Sequence, residues 1–417
     1  MAPSLVRLEI PDLDLGLRHK LVSADRLRPG SRAAHGTSLY GLSLVDDLTD
    51  TALSHAGNGY PDAPVELDES TRVELPWRGI ESVIGDLVDT NGDPFGASPR
   101  GMVAHLVGRF ARSGLVPVLG FEYEAWVFEA AAADVVGNAG PGRLAPPGTV
   151  ASLMSELARR TASIGHPLEA VRCDGGAGYV EFSIAPAPAL RAADGAARAR
   201  QCLIDLCAEH GLVASFMAKP YGDREGAGGH VHASLERDGV NVFAGDGGLS
   251  AVGACFVAGL VQSLPELTLM FNPHVNSFKR IDPRQWVPTR ASWGYDDRRS
   301  ACRVVTSARA LARVEHRRGG ADANPYVSGA AVLAGGIWGI ERGARLPPPR
   351  SPGGRTVPAS LAEAITEFEG SPLIDDLLPR RFAEAFSATR RSELARYEAW
   401  MSTHITEFEL QRHLGFR

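Results

Sequence analysis

The chain has 417 residues, with 43 Lys and Arg against 49 Asp and Glu, so its formal net charge is −6. Apolar residues make up 44% and charged residues 22%, a globular mixture that excludes wholesale disorder. The mild acidity gives no general pull toward nucleic acid or an anionic membrane, and neither is expected as a partner.

At roughly 150 residues per domain the length suits two or three domains. The opening run MAPSLVRLEIPDLDLG carries acids early and lacks the apolar core of a secretory signal. Residues 1–97 hold short apolar runs (SLVRLEI, TSLYGLSLV, TRVELPW) broken by Gly, Pro and Asp, the pattern of a small mixed sheet and of a first domain. A second domain, 98–417, opens on SPRGMVAHLVGRFARSG, which reads as a helix. Ser98 caps it, Pro99 suits its first turn and Gly114 ends it. Strand-like and helix-like segments then alternate. VPVLGFEYEAWVFE, AGYVEFSI, LVASFMAKP, HVHASLER and RVEHR read as strands, and PALRAADGAARARQCLIDLCAEHG as a long helix ended by Gly211. Met217 reads as a packing residue. Ala130 to Thr149 and Arg342 to Pro358 are rich in Gly and Pro and read as loops. The uncharged stretch Asn324 to Ile340 opens on Asn-Pro, is glycine-rich and is too short to span a bilayer. Five cysteines (Cys173, Cys202, Cys207, Cys255, Cys302) form an odd set without a C-x-x-C pair, which fits a reducing, cytoplasmic compartment.

Side chains alternate sides along a strand, so residues i and i+2 share a face. Glu122 and Glu124 share one; so do Tyr179, Glu181 and Ser183; so do His230 and His232; so do Arg313, Glu315 and Arg317. For one strand taken alone, such an ionic side is simply solvated. Four such strands among glycine-rich turns favour a lined cavity. Two carboxylates about 4 Å apart repel by roughly 4 kcal/mol at an effective dielectric of about 20, so converging carboxylates need a cation. Oxygen donors with one imidazole suit Mg²⁺ or Mn²⁺ better than a closed zinc site. The arginines would face phosphate or carboxylate groups.

The ordered pieces GFEYEAWVFE, GAGYVEF, FMAKPYGDREGAGGHVHASL, NSFKRIDPRQWVPTRASWGYDDRRSACRV and RVEHRRGGADANPYVSGAAVLAGGIWGIE run over nearly the whole chain. Together they resemble glutamine synthetases, and within them the ligases that use amines other than ammonia. The resemblance implies an α+β fold: a small N-terminal β-grasp-like domain and a large catalytic domain around a curved antiparallel sheet, as in glutamine synthetases and guanido kinases. It implies a homo-oligomer, a dodecamer of two stacked hexamers, with each active site shared between neighbouring copies. ATP would be co-substrate, with two or more Mg²⁺ or Mn²⁺ ions per site. One ion would sit on Glu122, His230 and Glu315, and a second on Glu124, Glu181 and the position held by Cys173. Arg298, Arg303 and Arg317 would meet the transferring phosphoryl group and Arg280 the α-carboxylate of glutamate. Gly226 would lie on the loop beside that substrate, and His232 and Ser234 near the nucleotide.

Four departures from the family pattern shape the expectation. Cys173 stands where a metal-binding glutamate belongs. A thiol is a poor ligand for a hard cation, and Asp174 would point to the other face of a regular strand, so the second site should be weakened and completed by water. Trp286 replaces a flap glutamate, and His35 an aspartate, of the ammonium pocket. A pocket stripped of acids holds NH₄⁺ poorly, while an aromatic wall admits an organic amine. Glu225 replaces an asparagine next to the glutamate site, and Tyr179 a glutamine beside Glu181. The expected activity is ATP-dependent ligation of glutamate, or a related carboxylate, to a non-ammonia amine through an acyl phosphate. Three alternatives stay open: an authentic glutamine synthetase using ammonium, a catalytically weak homologue with a binding or regulatory role, and a guanidino kinase, against which the NSFKR and ANPY segments argue.

Overall fold

Val6, Leu8 and Ile10 alternate with Arg7 and Glu9 in β1 (Leu5–Pro11), and both sides of the strand are buried. The computed structural model describes residues 5–27, 33–130, 143–282, 284, 286–350 and 354–415. β1 pairs antiparallel with β2 (Leu17–Ser23). With β3 (Ala33–Gly36), β4 (Asp62–Leu75) and β5 (Ile80–Leu87) these strands form a mixed sheet ordered β2-β1-β5-β4-β3, in which β1 and β5 run parallel. The run TSLYG is a 3-10 turn rather than a strand.

The expected helix follows as α1 (Pro99–Ala111), with Ser98 Oγ accepting the Gly101 N–H at 3.1 Å. Its Arg100 ties the two halves of the chain together, reaching Asp68 at 2.6 Å, Asp86 at 2.8 Å and Asp194 at 2.8 Å. Arg7 and Glu9 serve the same end, pairing with Asp205 at 2.9 Å and Arg198 at 2.8 Å. Buried charges are tolerated only when paired in this way.

The second sheet begins with β6 (Val116–Glu129). Then come α2 (Pro147–Ser163), β7 (Leu168–Arg172), β8 (Tyr179–Pro188), α3 (Ala189–Glu209) and β9 (Leu212–Ser215). β10 (Gly229–Arg237), β11 (Val240–Asn241) and the short ribbon of β12 (Ala244–Gly245) and β13 (Gly248–Leu249) lead to α4 (Ala251–Phe271) and α5 (Val275–Lys279). β14 (Trp293–Tyr295), β15 (Cys302–Val305) and β16 (Arg313–His316) complete the sheet. The chain closes with α6 (Pro325–Glu341), α7 (Leu361–Glu369), α8 (Pro372–Leu377), α9 (Arg380–Met401) and α10 (Glu407–His413). The strand order is β14-β15-β16-β10-β6-β8-β7, with β9 on β6 and β11 on β10. Every pairing in it is antiparallel except β14 with β15. The fold is α+β, as expected.

The uncharged stretch Asn324–Ile340 is α6, capped by Asn324, whose Oδ1 accepts the Tyr326 N–H at 2.9 Å. It packs so tightly on α4 that a Cβ on Gly259 would lie 2.0 Å from the Gly335 carbonyl oxygen. Among the described residues α4 is the helix long and apolar enough to cross a membrane, yet 78% of its most apolar window is buried inside the protein, so packing accounts for its apolarity.

Some local expectations need correction. The strand read in LVASFMAKP stops at Ser215, and Met217, read as packing, is 42% exposed. Much of the expected loop Ala130–Thr149 lies outside the described residues, and α2 already begins at Pro147. The Arg342–Pro358 segment is irregular where it is described; residues 351–353 lie outside.

Candidate active site

The four strands with an ionic side are neighbours: β16, β10, β6 and β8 lie in that order. Their apolar sides (Phe121, Tyr123, Val180, Phe182, Val231, Val314) are buried in the core. His316, on the same side as Val314, stacks on Phe271 with ring centroids 3.9 Å apart. The opposite face carries three cross-strand rows. Glu124 stands opposite Glu181, which stands opposite Arg172. Ser183 stands opposite Glu122, which stands opposite His230. His232 stands opposite Glu315, which stands opposite Arg303.

Ligand atoms of Glu122, His230 and Glu315 lie within 4.8 Å of one another. His230 Nδ1 is 2.8 Å from Glu122 Oε1 and 3.6 Å from Glu315 Oε1. His230 Nε2 is buried without a hydrogen-bond partner among the described residues. His232 Nε2 stands 3.7 Å from Glu122 Oε2, and Arg313 Nε donates to His232 Nδ1 at 3.2 Å. Arg303 Nη1 donates to Glu315 Oε2 at 2.9 Å, and Arg317 Nη1 donates to Glu315 Oε1. Burial opposes ionisation of Glu122, but hydrogen bonds and charge from His230 and His232 outweigh it and hold this carboxyl below its ordinary range. Glu315 is likewise buried, and His230, His232 and Arg317 bring it down. Glu181 moves the other way, raised by burial and by the charges of Glu122 and Glu124. Two carboxylates and one imidazole converging on one point are a donor set that fits Mg²⁺ or Mn²⁺.

Among the described residues this is the one such group of three or more His, Cys, Asp or Glu. The other expected triad is not gathered in the same way. Glu124 Oε2 accepts the Gly228 N–H at 2.5 Å, and the Tyr179 hydroxyl donates to Glu181 Oε2 at 3.3 Å. Cys173 lies one residue past the end of β7, half-buried against the apolar core, and burial raises its thiol pKa.

Arg280 is buried, its Nη1 donates to the Arg318 carbonyl at 3.3 Å, and no carboxylate forms an ion pair with it among the described residues. Burial pulls its pKa down, with Glu124 and Asp322 acting against that. A Cβ on Gly228 would lie 2.9 Å from both Arg280 Nη2 and His230 Nε2, and one on Gly226 would lie 2.7 Å from Arg280 Cγ. Two glycines therefore leave room for a buried guanidinium beside the cluster of Glu122, His230 and Glu315. On the other side a cavity of 270 Å³ is lined by Glu122, Ser183, His232, Ser234 and Arg313. A larger cavity, 470 Å³, lies elsewhere against Asp14, Arg200 and Arg390 and holds none of the expected site residues.

The remaining expected residues stand apart. Arg298 is exposed, and its carbonyl accepts from Arg317 Nε at 3.1 Å. Glu225 is exposed. Trp286 is 55% exposed with φ +60°, and the Arg299 guanidinium lies 5.2 Å from its ring centroid. His35 sits on β3, at the edge of the N-terminal sheet, with Nδ1 3.1 Å from the Gly36 carbonyl. No hydrogen bond or ion pair among the described residues joins it to the cluster. Sequence reasoning missed Arg172 and Gly228. A residue on the ionic face of β7 was the available signal for the first; nothing local marks the second.

Residues 96–413 match the family model described as the glutamine synthetase catalytic domain. A glutamate–isopropylamine ligase of a Pseudomonas species is 32% identical over 98% of this chain and 94% of its own length. A gamma-glutamylethanolamide synthetase of Streptomyces coelicolor is 31% identical over 98% of this chain and 92% of its own. Two solved structures, a novel glutamine synthase homolog and a GmaS/ADP complex, match with TM-scores of 0.83 and 0.82. Each is 25% identical over 99% of this chain, covering 98% and 97% of its own.

Proposed function

The chain belongs to the glutamine synthetase family, and on that premise we propose that it joins the γ-carboxylate of glutamate, or of a related amino acid, to an organic amine through an acyl phosphate. The observation that carries this reading is the placement of Glu122, His230 and Glu315 between the arginines on Glu315 and the buried Arg280. The residues fit Mg²⁺ or Mn²⁺, which when bound would offset phosphate charge and polarise a phosphoryl oxygen. Arg280 would hold the α-carboxylate of the amino acid. The γ-carboxylate oxygen then attacks the terminal phosphorus of ATP, the bond to the bridging oxygen breaks and ADP leaves. Arg303 and Arg317 neutralise charge spread over the transferring group. The amine nitrogen adds to the acyl carbon, the bond from carbon to the phosphate oxygen breaks, and the nitrogen loses a proton.

Two features support an organic amine over ammonium. Two of the relatives are named for such amines, and Trp286, not an acid, occupies the exposed loop. An exposed aromatic ring can cover an apolar substituent. His35 would join this pocket from a second copy in the proposed ring assembly, which a native mass of twelve chains would support and a monomer would overturn. We propose a cytoplasmic location, a compartment in which five free thiols stay reduced.

The test is amine-dependent phosphate release, with product mass, across ammonium, alkylamines, polyamines and arylamines. Turnover confined to organic amines is expected. Robust glutamine formation from ammonium would overturn the amine assignment. Binding of nucleotide and Mn²⁺ without turnover on any amine would favour the regulatory alternative.

A further inference from the structure

We propose that the active site holds one tightly bound divalent cation, at Glu122, His230 and Glu315, and that the guanidinium of Arg172 takes the place of a second beside Glu181. The inference rests on the ligase reading and refines its metal requirement. Arg172, Glu181 and Glu124 form one row across β7, β8 and β6 and so share the ionic face. Arg172 Nη1 stands 3.5 Å from Glu181 Oε2. A guanidinium is always charged, so a cation already stands at the outer end of this acidic row, more than half exposed and shared with Asp174. At the inner end, Glu124 Oε2 accepts the N–H of Gly228, the glycine against which the buried Arg280 packs. Glu181 thus faces a guanidinium directly, while Glu124 is held by a backbone N–H.

The third ligand is also missing in kind. Cys173 offers a soft sulfur to a site of hard oxygens, and it packs against the apolar core. Asp174, the next carboxylate along the chain, is committed to Arg172 Nε at 2.6 Å. Among the described residues no third His, Cys, Asp or Glu gathers with Glu124 and Glu181 as His230 does with Glu122 and Glu315. The residues present therefore do not fit a second resident divalent ion, and Arg172 offsets part of the repulsion between its carboxylates.

The experiment counts Mn²⁺ bound to the full-length protein by electron paramagnetic resonance, without nucleotide. One tight ion per chain is expected, with any further ion at least a hundredfold weaker, and Glu122→Gln should abolish the tight one. The double variant Arg172→Ala/Cys173→Glu, with unchanged far-UV circular dichroism, should gain a second ion. Two ions of comparable affinity in the unmodified protein, the second lost in Glu181→Gln, would overturn the proposal and leave the ligase reading standing. A folded double variant that still binds one ion would also overturn it. No tight ion at all would defeat this proposal and the metal assignment together.

Discussion

Replacing Glu315 by glutamine keeps the shape of the side chain and removes its charge. Glu315 is 2% exposed and is shared by Arg303, at 2.9 Å, and Arg317, with His230 Nδ1 at 3.6 Å. A charge pair at 2.9 Å has a gross attraction of about 6 kcal/mol at an effective dielectric of about 20. Desolvation cancels much of it, and breaking such a buried pair typically costs about 3–5 kcal/mol. Two effects lower that figure. The glutamine oxygen still accepts a hydrogen bond, and the repulsion between Glu315 and Glu122 is relieved. We expect a loss of about 2 kcal/mol in unfolding free energy without metal. The larger effect falls on Mn²⁺, which loses a charged ligand. Its affinity should drop at least about a hundredfold, equivalent to about 2.7 kcal/mol. Denaturant unfolding reads the first quantity, and a Mn²⁺ titration followed by electron paramagnetic resonance reads the second. Phosphate release should fall in parallel. Mn²⁺ affinity within threefold of the parent would refute the assignment of Glu315 as a ligand, whatever happened to stability.

Gly228→Ala places a methyl 2.9 Å from Arg280 Nη2 and from His230 Nε2. The arginine tip must give way, so KM for glutamate should rise about tenfold, or about 1.4 kcal/mol; an unchanged KM would separate Arg280 from the substrate. Trp286→Ala should raise KM for the organic amine several-fold while KM for glutamate and the unfolding midpoint stay put, since the ring is half-exposed. A fall in midpoint with no change in amine KM would make Trp286 a packing residue. His274 is lowered to about 4 by burial, with the Arg390 charge adding to it. Its folded form stays neutral where the unfolded chain takes up a proton, so its contribution is complete above about pH 6.5 and drains away toward pH 4. That amounts to about 2 kcal/mol of stability lost by pH 5. His274→Gln should flatten this part of the acid limb, and an identical pH dependence in the two proteins would contradict it.

The alternation of Glu122 with Glu124, of His230 with His232 and of Glu315 with Arg317 was legible because strand periodicity is a local property. So was the helix from Pro99, where Ser98 and Pro99 carry the start signal in adjacent residues. The position of Cys173 was not. β7 ends at Arg172, which stands opposite Glu181 on the ionic face, so the next residue falls to the apolar side and the thiol packs on the core. Where pairing stops depends on the partner strand, which leaves no local mark. Trp286 and Glu225 were legible as departures from a family pattern, yet their exposed loops give them no contact with the cluster from which a role could be read.

By itself, then, the sequence determined which side chains share a face and which kind of ion they would suit, because both follow from neighbouring residues and from donor chemistry. Only the tertiary structure decided that Glu122 meets His230, 108 positions away, that Arg172 faces Glu181, and that Gly228 leaves room for Arg280 beside His230. Those pairings are set by sheet order and register. They are won by burial of the whole apolar side at once, a cooperative choice among strands that no single segment encodes.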